Sequence, residues 1–139
     1  MVTLDTFKRG ISNGFKTLWL LSKILVPVYL VITIIRLTPI IDWIAFIFKP
    51  IMFAFGLPGE AAIVLVLGNT LNLYAALGAI ASLSLTAKQI TILAIMLGFS
   101  HSLIVETAVL RKLNVKPWQA ISFRVSLGII SGIVMNLLL

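Results

Sequence analysis

The stretch AAIVLVLGNTLNLYAALGAIASLSLTA, residues 61–87, holds 27 consecutive positions without Asp, Glu, Lys or Arg. A helix of about 20 apolar residues spans the hydrocarbon of a bilayer, so this run reads as a membrane segment. Its middle is broken by Gly68-Asn69-Thr70-Leu71-Asn72, which sets two amides and a hydroxyl near mid-depth. Hydrocarbon offers such groups no water, so each must find a protein partner, a trapped water or a bound solute. The run admits two forms: one helix of about 25 residues, or a re-entrant hairpin whose legs meet at Gly68-Asn69. Legs of about 10 and 13 residues each reach near half the hydrocarbon thickness.

The rest of the 139-residue chain has the same character, being 60% apolar and 11% charged with a mean hydropathy of +1.16. These values place it among integral membrane proteins, as one transmembrane domain over residues 18–139, and a multi-pass α-helical protein of the inner (plasma) membrane is expected. Four to five helices, some broken or re-entrant, form a thin bundle with too few walls for most solute pathways, which predicts a homo-oligomer, a dimer, or pairing with a related subunit.

The net charge of +7 comes from 11 Lys and Arg against four acids. The bases cluster at segment ends: Lys8, Arg9 and Lys16 precede the first span, and Arg111, Lys112 and Lys116 lie between the last two. Membrane lipid is the partner this placement predicts. Nucleic acid is not expected, because no basic and aromatic surface that could track a phosphate backbone accompanies the charge. The absence of cysteine excludes disulfides, iron–sulfur ligation and thiol catalysis. No short apolar core with a small-residue cleavage site marks a signal peptide.

At the N-terminal end, Leu4, Phe7, Ile11, Phe15 and Leu18 recur at steps of three and four, with Asp5, Lys8, Arg9, Ser12, Asn13 and Lys16 opposite. This predicts an amphipathic interfacial helix over residues 1–17, lying on the membrane. It continues without a breaker into a span over residues 18–35, in which Lys23 can snorkel and Pro27 predicts a kink. Thr38-Pro39 reads as an N-cap and first-turn proline for a helix over residues 39–55. With Asp42, Lys49 and Pro50 inside barely 16 residues, that helix could lie in the interface, enter halfway or cross. If it does not cross, the bases balance between the two sides and an antiparallel, dual-topology dimer becomes possible. If it does, the N-terminal and 111–116 clusters both face the cytoplasm and a parallel two-fold dimer is favoured.

Gly56-Leu57-Pro58-Gly59-Glu60 turns the chain into the long apolar run, with Glu60 placed for the positive end of a helix dipole or for a solute. Thr86-Ala87-Lys88-Gln89 has the form of a capping box opening a helix to about residue 113. Gly98-Phe99-Ser100-His101-Ser102 interrupts that helix near its midpoint, and Ser102 and Glu106 share one face. An imidazole and a carboxylate inside a span could relay protons, bind a cation or hydrogen-bond a polar ligand; the structural alternative pairs Glu106 with Arg111 or Lys112. Lys116-Pro117-Trp118 opens the last span, where Gly128 and Gly132 form a GxxxG that permits close helix approach within or between subunits.

Two segments broken by small or polar residues at mid-depth are the pattern of a transporter site, because unwound backbone can replace a solute's hydration shell. The candidate solute-binding residues are therefore Glu60, Asn69, Thr70 and Asn72 on one wall and His101, Ser102 and Glu106 on the other. A small polar solute or ion is the expected ligand. The competing reading makes the same groups bonds between helices in a non-transporting scaffold or assembly subunit. An HExxH, a GxSxG and a phosphate-cradling glycine loop are all missing, so an enzyme, a metal centre or a cofactor is not expected.

The run GLPGEAAIVLVLGNTLNLYAALGAI from Gly56 to Ile80, followed by SHSLIVETAVLRKL from Ser100 to Leu113, resembles the nucleoside recognition, or Gate, domain family. That family is similar to spore maturation proteins, to the membrane repeats of ferrous-iron permeases and, more distantly, to concentrative nucleoside transporters. The resemblance implies broken helices and hairpins, usually present twice in inverted orientation. Carried over by position, Gly56, Pro58, Gly59 and Glu60 match the turn, Gly68 and Asn69 the break, and His101 and Glu106 the second polar segment. The cysteine associated with iron passage is missing here, so the resemblance does not imply iron transport.

Overall fold

The computed structural model describes residues 4–112 and 116–139, whose regular elements are all helical. In chain order these are α1 (Leu4–Arg36), α2 (Ile40–Phe53), a single 3₁₀ turn (Gly59–Ala61), α3 (Ala62–Thr70), α4 (Leu73–Ser82), α5 (Ala87–Ser100), α6 (Leu103–Lys112) and α7 (Pro117–Leu138). Three stretches are long and apolar enough to cross a membrane: Asp5–Arg36, Ala87–Arg111, which joins α5 to α6, and Pro117–Leu138.

Helix ends show which side of the bundle each element occupies. The Arg36 guanidinium, in the last turn of α1, donates to the Ser82 carbonyl and the Ser84 hydroxyl, so α1 and α4 finish at one end of the bundle. Lys88, in the first turn of α5, donates to the Asn136 carbonyl at 3.2 Å, and Asn136 Nδ2 reaches the Ala54 carbonyl at 3.4 Å. The start of α5, the finish of α7 and the finish of α2 therefore lie at that same end. Because α2 also starts there, just after Arg36, it does not cross.

The long apolar run doubles back. Its two helices, of 9 and 10 residues, are each about 14–15 Å long, half of a hydrocarbon core of about 30 Å. The chain thus takes the re-entrant form, entering through the Gly56 turn and leaving at Ser82, with α3 packed along α4. Gly56 has φ +65°, a left-handed conformation that glycine adopts without cost. The break falls at Leu71-Asn72 rather than Gly68-Asn69. Gly68 stays helical because its missing Cβ serves packing, where it lets Leu97 and Ala76 approach.

Since neither α2 nor the hairpin crosses, the chain crosses twice, in α1 and in α5–α6, between the N-terminal bases and the 111–116 bases, which puts both groups at one common end. The balance of charge expected for a non-crossing 39–55 helix does not arise, because the 61–87 run turns back as well.

Other local expectations hold or shift for identifiable reasons. The Thr86/Gln89 capping box is formed in both directions, at 3.3 and 2.9 Å. Pro117 occupies the first turn of α7. Thr38 does not cap α2; its hydroxyl donates to the Ile35 carbonyl at 2.6 Å and closes α1 instead. Helix α1 continues through both Leu18 and Pro27 as one 33-residue helix.

The core is narrow. Ile92, Leu93, Leu97 and Val64 are fully buried, as are Ala75, Ala76 and Ala79 of α4 and Ala61 of the 3₁₀ turn. A Cβ at Gly128 would touch the Met96 carbonyl, and one at Gly132 would enter the Met96 and Phe55 side chains. The GxxxG is therefore spent inside the chain, seating α7 on α5. Most outward side chains of the three crossing stretches are apolar and exposed, as lipid-facing surfaces are.

Candidate functional site

Two interrupted helices meet inside this bundle. The α3 helix ends at Thr70, the chain extends through Asn72, and α4 restarts; α5 ends at Ser100, and α6 restarts at Leu103 after His101-Ser102. The interruptions are joined directly, because the Ser102 amide donates to the Gly68 carbonyl at 2.8 Å. Ser102 has φ +54°, a left-handed backbone that costs a β-carbon-bearing residue about 1 kcal/mol or more. Three helix termini, the ends of α3 and α5 and the start of α6, converge on this point.

The side chains predicted for a site divide into those turned inward on their own helix and those with spare capacity. The Thr70 hydroxyl donates to the Val66 carbonyl at 2.6 Å, and Asn72 Oδ1 accepts from the Ala75 amide at 2.9 Å as the N-cap of α4. Asn72 thus explains why the chain restarts a helix there. Asn69 Nδ2 donates to the Leu65 carbonyl at 2.8 Å, but its Oδ1 is buried and has no hydrogen-bond partner. Asn69 lines a cleft of about 330 Å³ with Ser100, Leu65, Met96, Leu103 and Gly128 among its walls. Ser100 donates to the Met96 carbonyl at 2.9 Å, which leaves its oxygen free to accept.

His101 Nδ1 lies 2.9 Å from the Leu97 carbonyl, folding the imidazole back over the last turn of α5. Glu106 pairs with Arg124 of α7 rather than with Arg111 or Lys112. Arg124 also donates to the Phe99 carbonyl at 2.7 Å and to the His101 carbonyl at 3.5 Å. A single guanidinium thereby neutralises the negative end of α5 and holds the acid in the first turn of α6. Glu60 stands apart, in the 3₁₀ turn at the mouth of the hairpin, about 13 Å of helix from Asn69. Among the described residues no ion pair or hydrogen bond engages its carboxylate, and no cluster of three His, Cys, Asp or Glu is placed to hold a metal.

Arg124 is the residue that sequence reasoning overlooked. Its signal was available, as the one ionisable side chain between Pro117 and Leu138 and hence an intramembrane charge in need of a partner.

Helices that cross, a hairpin that enters and turns back, and polar breaks that meet at mid-depth define a multi-pass membrane protein of the broken-helix class. A family model described as Gate, nucleoside recognition, matches residues 18–116, and the chain belongs to that family. It is 45% identical over 132 residues to the uncharacterized membrane protein YvoD of Bacillus subtilis, covering 95% of this chain and 42% of that protein. It is 36% identical over 96 residues to the inner membrane protein YjiG of Escherichia coli K12, covering 65% of this chain and 61% of that protein. The chain thus spans about two-fifths to three-fifths of the length of these curated relatives. No solved structure matches. The chain is a multi-pass protein of the inner (plasma) membrane.

Proposed function

We propose that the chain is a half-size transporter subunit, in which two copies, or one copy and a related segment, enclose a path for a small polar solute at the helix breaks. One observation carries this reading: the buried, unpartnered Asn69 carbonyl oxygen beside two interruptions joined through Ser102 and Gly68. An unsatisfied acceptor costs about 1–3 kcal/mol, a penalty that a donor on a transported solute would relieve. The strained backbone of Ser102 adds a second local cost at the same place.

The test is solute exchange in proteoliposomes, with nucleosides, amino acids and divalent cations as the panel. Asn69→Ala and Glu106→Ala should each abolish exchange of the accepted solute while the oligomer persists on size-exclusion chromatography. Exchange that survives both substitutions would remove the site.

A second reading rests on its own observation. The hydroxyls of Thr70, Ser100 and Thr107 and the amide of Asn69 all donate within their own helices, as side chains that merely stabilise a bundle do. In a scaffold subunit the same substitutions would lower thermal stability or dissociate the oligomer, and no solute would exchange.

A further inference from the structure

The basic residues of this chain are sorted in a way that the solute site does not explain. At the end where α1 and α7 finish lie Arg36, Lys49 and Lys88, accompanied by Asp42 and Glu60. Arg36 and Lys88 are occupied there in closing the carbonyl ends of α4 and α7. At the opposite end lie Lys8, Arg9, Lys16, Arg111, Lys112 and Lys116, accompanied by Asp5. Among the described residues none of Lys8, Arg9, Lys16, Arg111 and Lys116 has a hydrogen-bond or ion-pair partner, and all are exposed. Five free cations at one end of a membrane bundle call for anions supplied from outside the chain.

The geometry of α1 says where those anions lie. Its 33 residues extend about 50 Å, whereas a hydrocarbon core of about 30 Å takes up roughly 20 of them. Counted back from Arg36, hydrocarbon ends near residue 17. Lys23 sits about 10 Å inside that boundary with its ammonium over the Trp19 ring, 5.6 Å from the centroid, as a snorkelling lysine at an aromatic belt does. Residues 5–20 are exposed throughout, and they present Phe7, Ile11, Phe15 and Leu18 on one side with the three bases flanking it. An apolar stripe edged by cations matches a leaflet whose headgroups are anionic, with acyl chains below them.

We propose that residues 5–17, with Arg111 and Lys116, form a docking surface for anionic lipid headgroups, and that this end of the bundle faces the cytoplasmic leaflet. The re-entrant hairpin then opens from the extracytoplasmic side. The Lys and Arg count of six against three fixes the orientation by the positive-inside bias. This inference is independent of whether the breaks carry a solute.

The natural absence of cysteine makes the test direct. The full chain carrying Gly14→Cys, a position with nothing within 4 Å of an added Cβ, is labelled with an environment-sensitive fluorophore. It is then reconstituted in vesicles of phosphatidylcholine alone or with phosphatidylglycerol. Emission should shift to the blue with the anionic lipid, and molar salt should reverse the shift. Lys8→Gln, Arg9→Gln and Lys16→Gln together should weaken docking roughly 100-fold, at about 1 kcal/mol per base. The same emission in both lipids, or a shift that follows protein density instead of lipid charge, as pairing between copies would give, overturns the proposal. In intact cells a membrane-impermeant maleimide should label Ser84→Cys and spare Asn13→Cys until the membrane is opened. The reverse pattern, or equal labelling of both, overturns the orientation.

Discussion

Arg124 and Glu106 form an ion pair that straddles the break between α5 and α6, with one partner on the last crossing helix and the other in the first turn of the resumed helix. The guanidinium also serves the Phe99 and His101 carbonyls, so its loss strands three acceptors while loss of the carboxylate strands one cation. Arg124→Met should therefore destabilise more than Glu106→Gln, by about 2–4 against 1–2 kcal/mol. The double variant should fall short of the sum, and thermal unfolding in detergent across a double-mutant cycle measures this. Additive effects would mean that the pair is not coupled.

The close approach of α3 to α5 gives a second expectation. A Cβ on Gly68 would stand 2.5 Å from Leu97 Cδ2 and 3.1 Å from the Ala76 Cβ. Gly68→Ala should cost about 1–3 kcal/mol by overpacking. Leu97→Ala, itself destabilising because Leu97 is fully buried, should partly rescue it, so that the double variant is more stable than the two costs added. Unfolding midpoints of the four proteins decide the sign.

How far the sequence discloses this arrangement depends on whether a feature is local. The 61–87 run shows a membrane segment and both of its possible forms, because leg length and the central polar residues are properties of the segment itself. The Thr86/Gln89 box and Pro117 are equally local, and both appear where the spacing puts them. The hairpin breaks later than Gly68-Asn69, which has the form of a helix breaker, because Asn72 supplies the actual cap and Gly68 answers to Leu97 on another helix. The partner of Glu106 is hidden from the sequence for the same reason. Arg111 and Lys112 are near in sequence, while Arg124 comes near only once α7 packs along α5. Of the site, Asn69 was legible as a polar group at depth, but its unpaired oxygen is a property of the folded neighbourhood.

Asn69 carries an opposed expectation for stability and function. Replacing a buried acceptor that lacks a partner with an apolar group of similar size removes a desolvation cost. Asn69→Leu should leave the unfolding temperature unchanged or raised, while abolishing the solute exchange proposed for the breaks. A marked fall in stability, with exchange retained, would show instead that the amide is a structural bond.

Two glycines, one at the mouth of the hairpin and one in the last turn of α5, should respond in opposite senses. Gly59 packs so closely on α2 that a Cβ would overlap the Ala45 carbonyl, a backbone group that no side-chain rotation can clear. Gly59→Ala should therefore separate the Gly59–Ala61 turn from α2 and collapse the yield of folded protein. Gly98, in α5, has nothing within 4 Å of an added Cβ and no positive φ. Gly98→Ala should then stabilise the helix by about 0.5–1 kcal/mol, the usual gain for alanine in a helix interior. Solute exchange by this variant separates two origins for the interruption at His101-Ser102. Unaltered exchange means that Ser102, Gly68 and Arg124 set the break without help from a flexible residue upstream. Loss of exchange in a more stable protein means that Gly98 supplies motion that the bonds at the break do not.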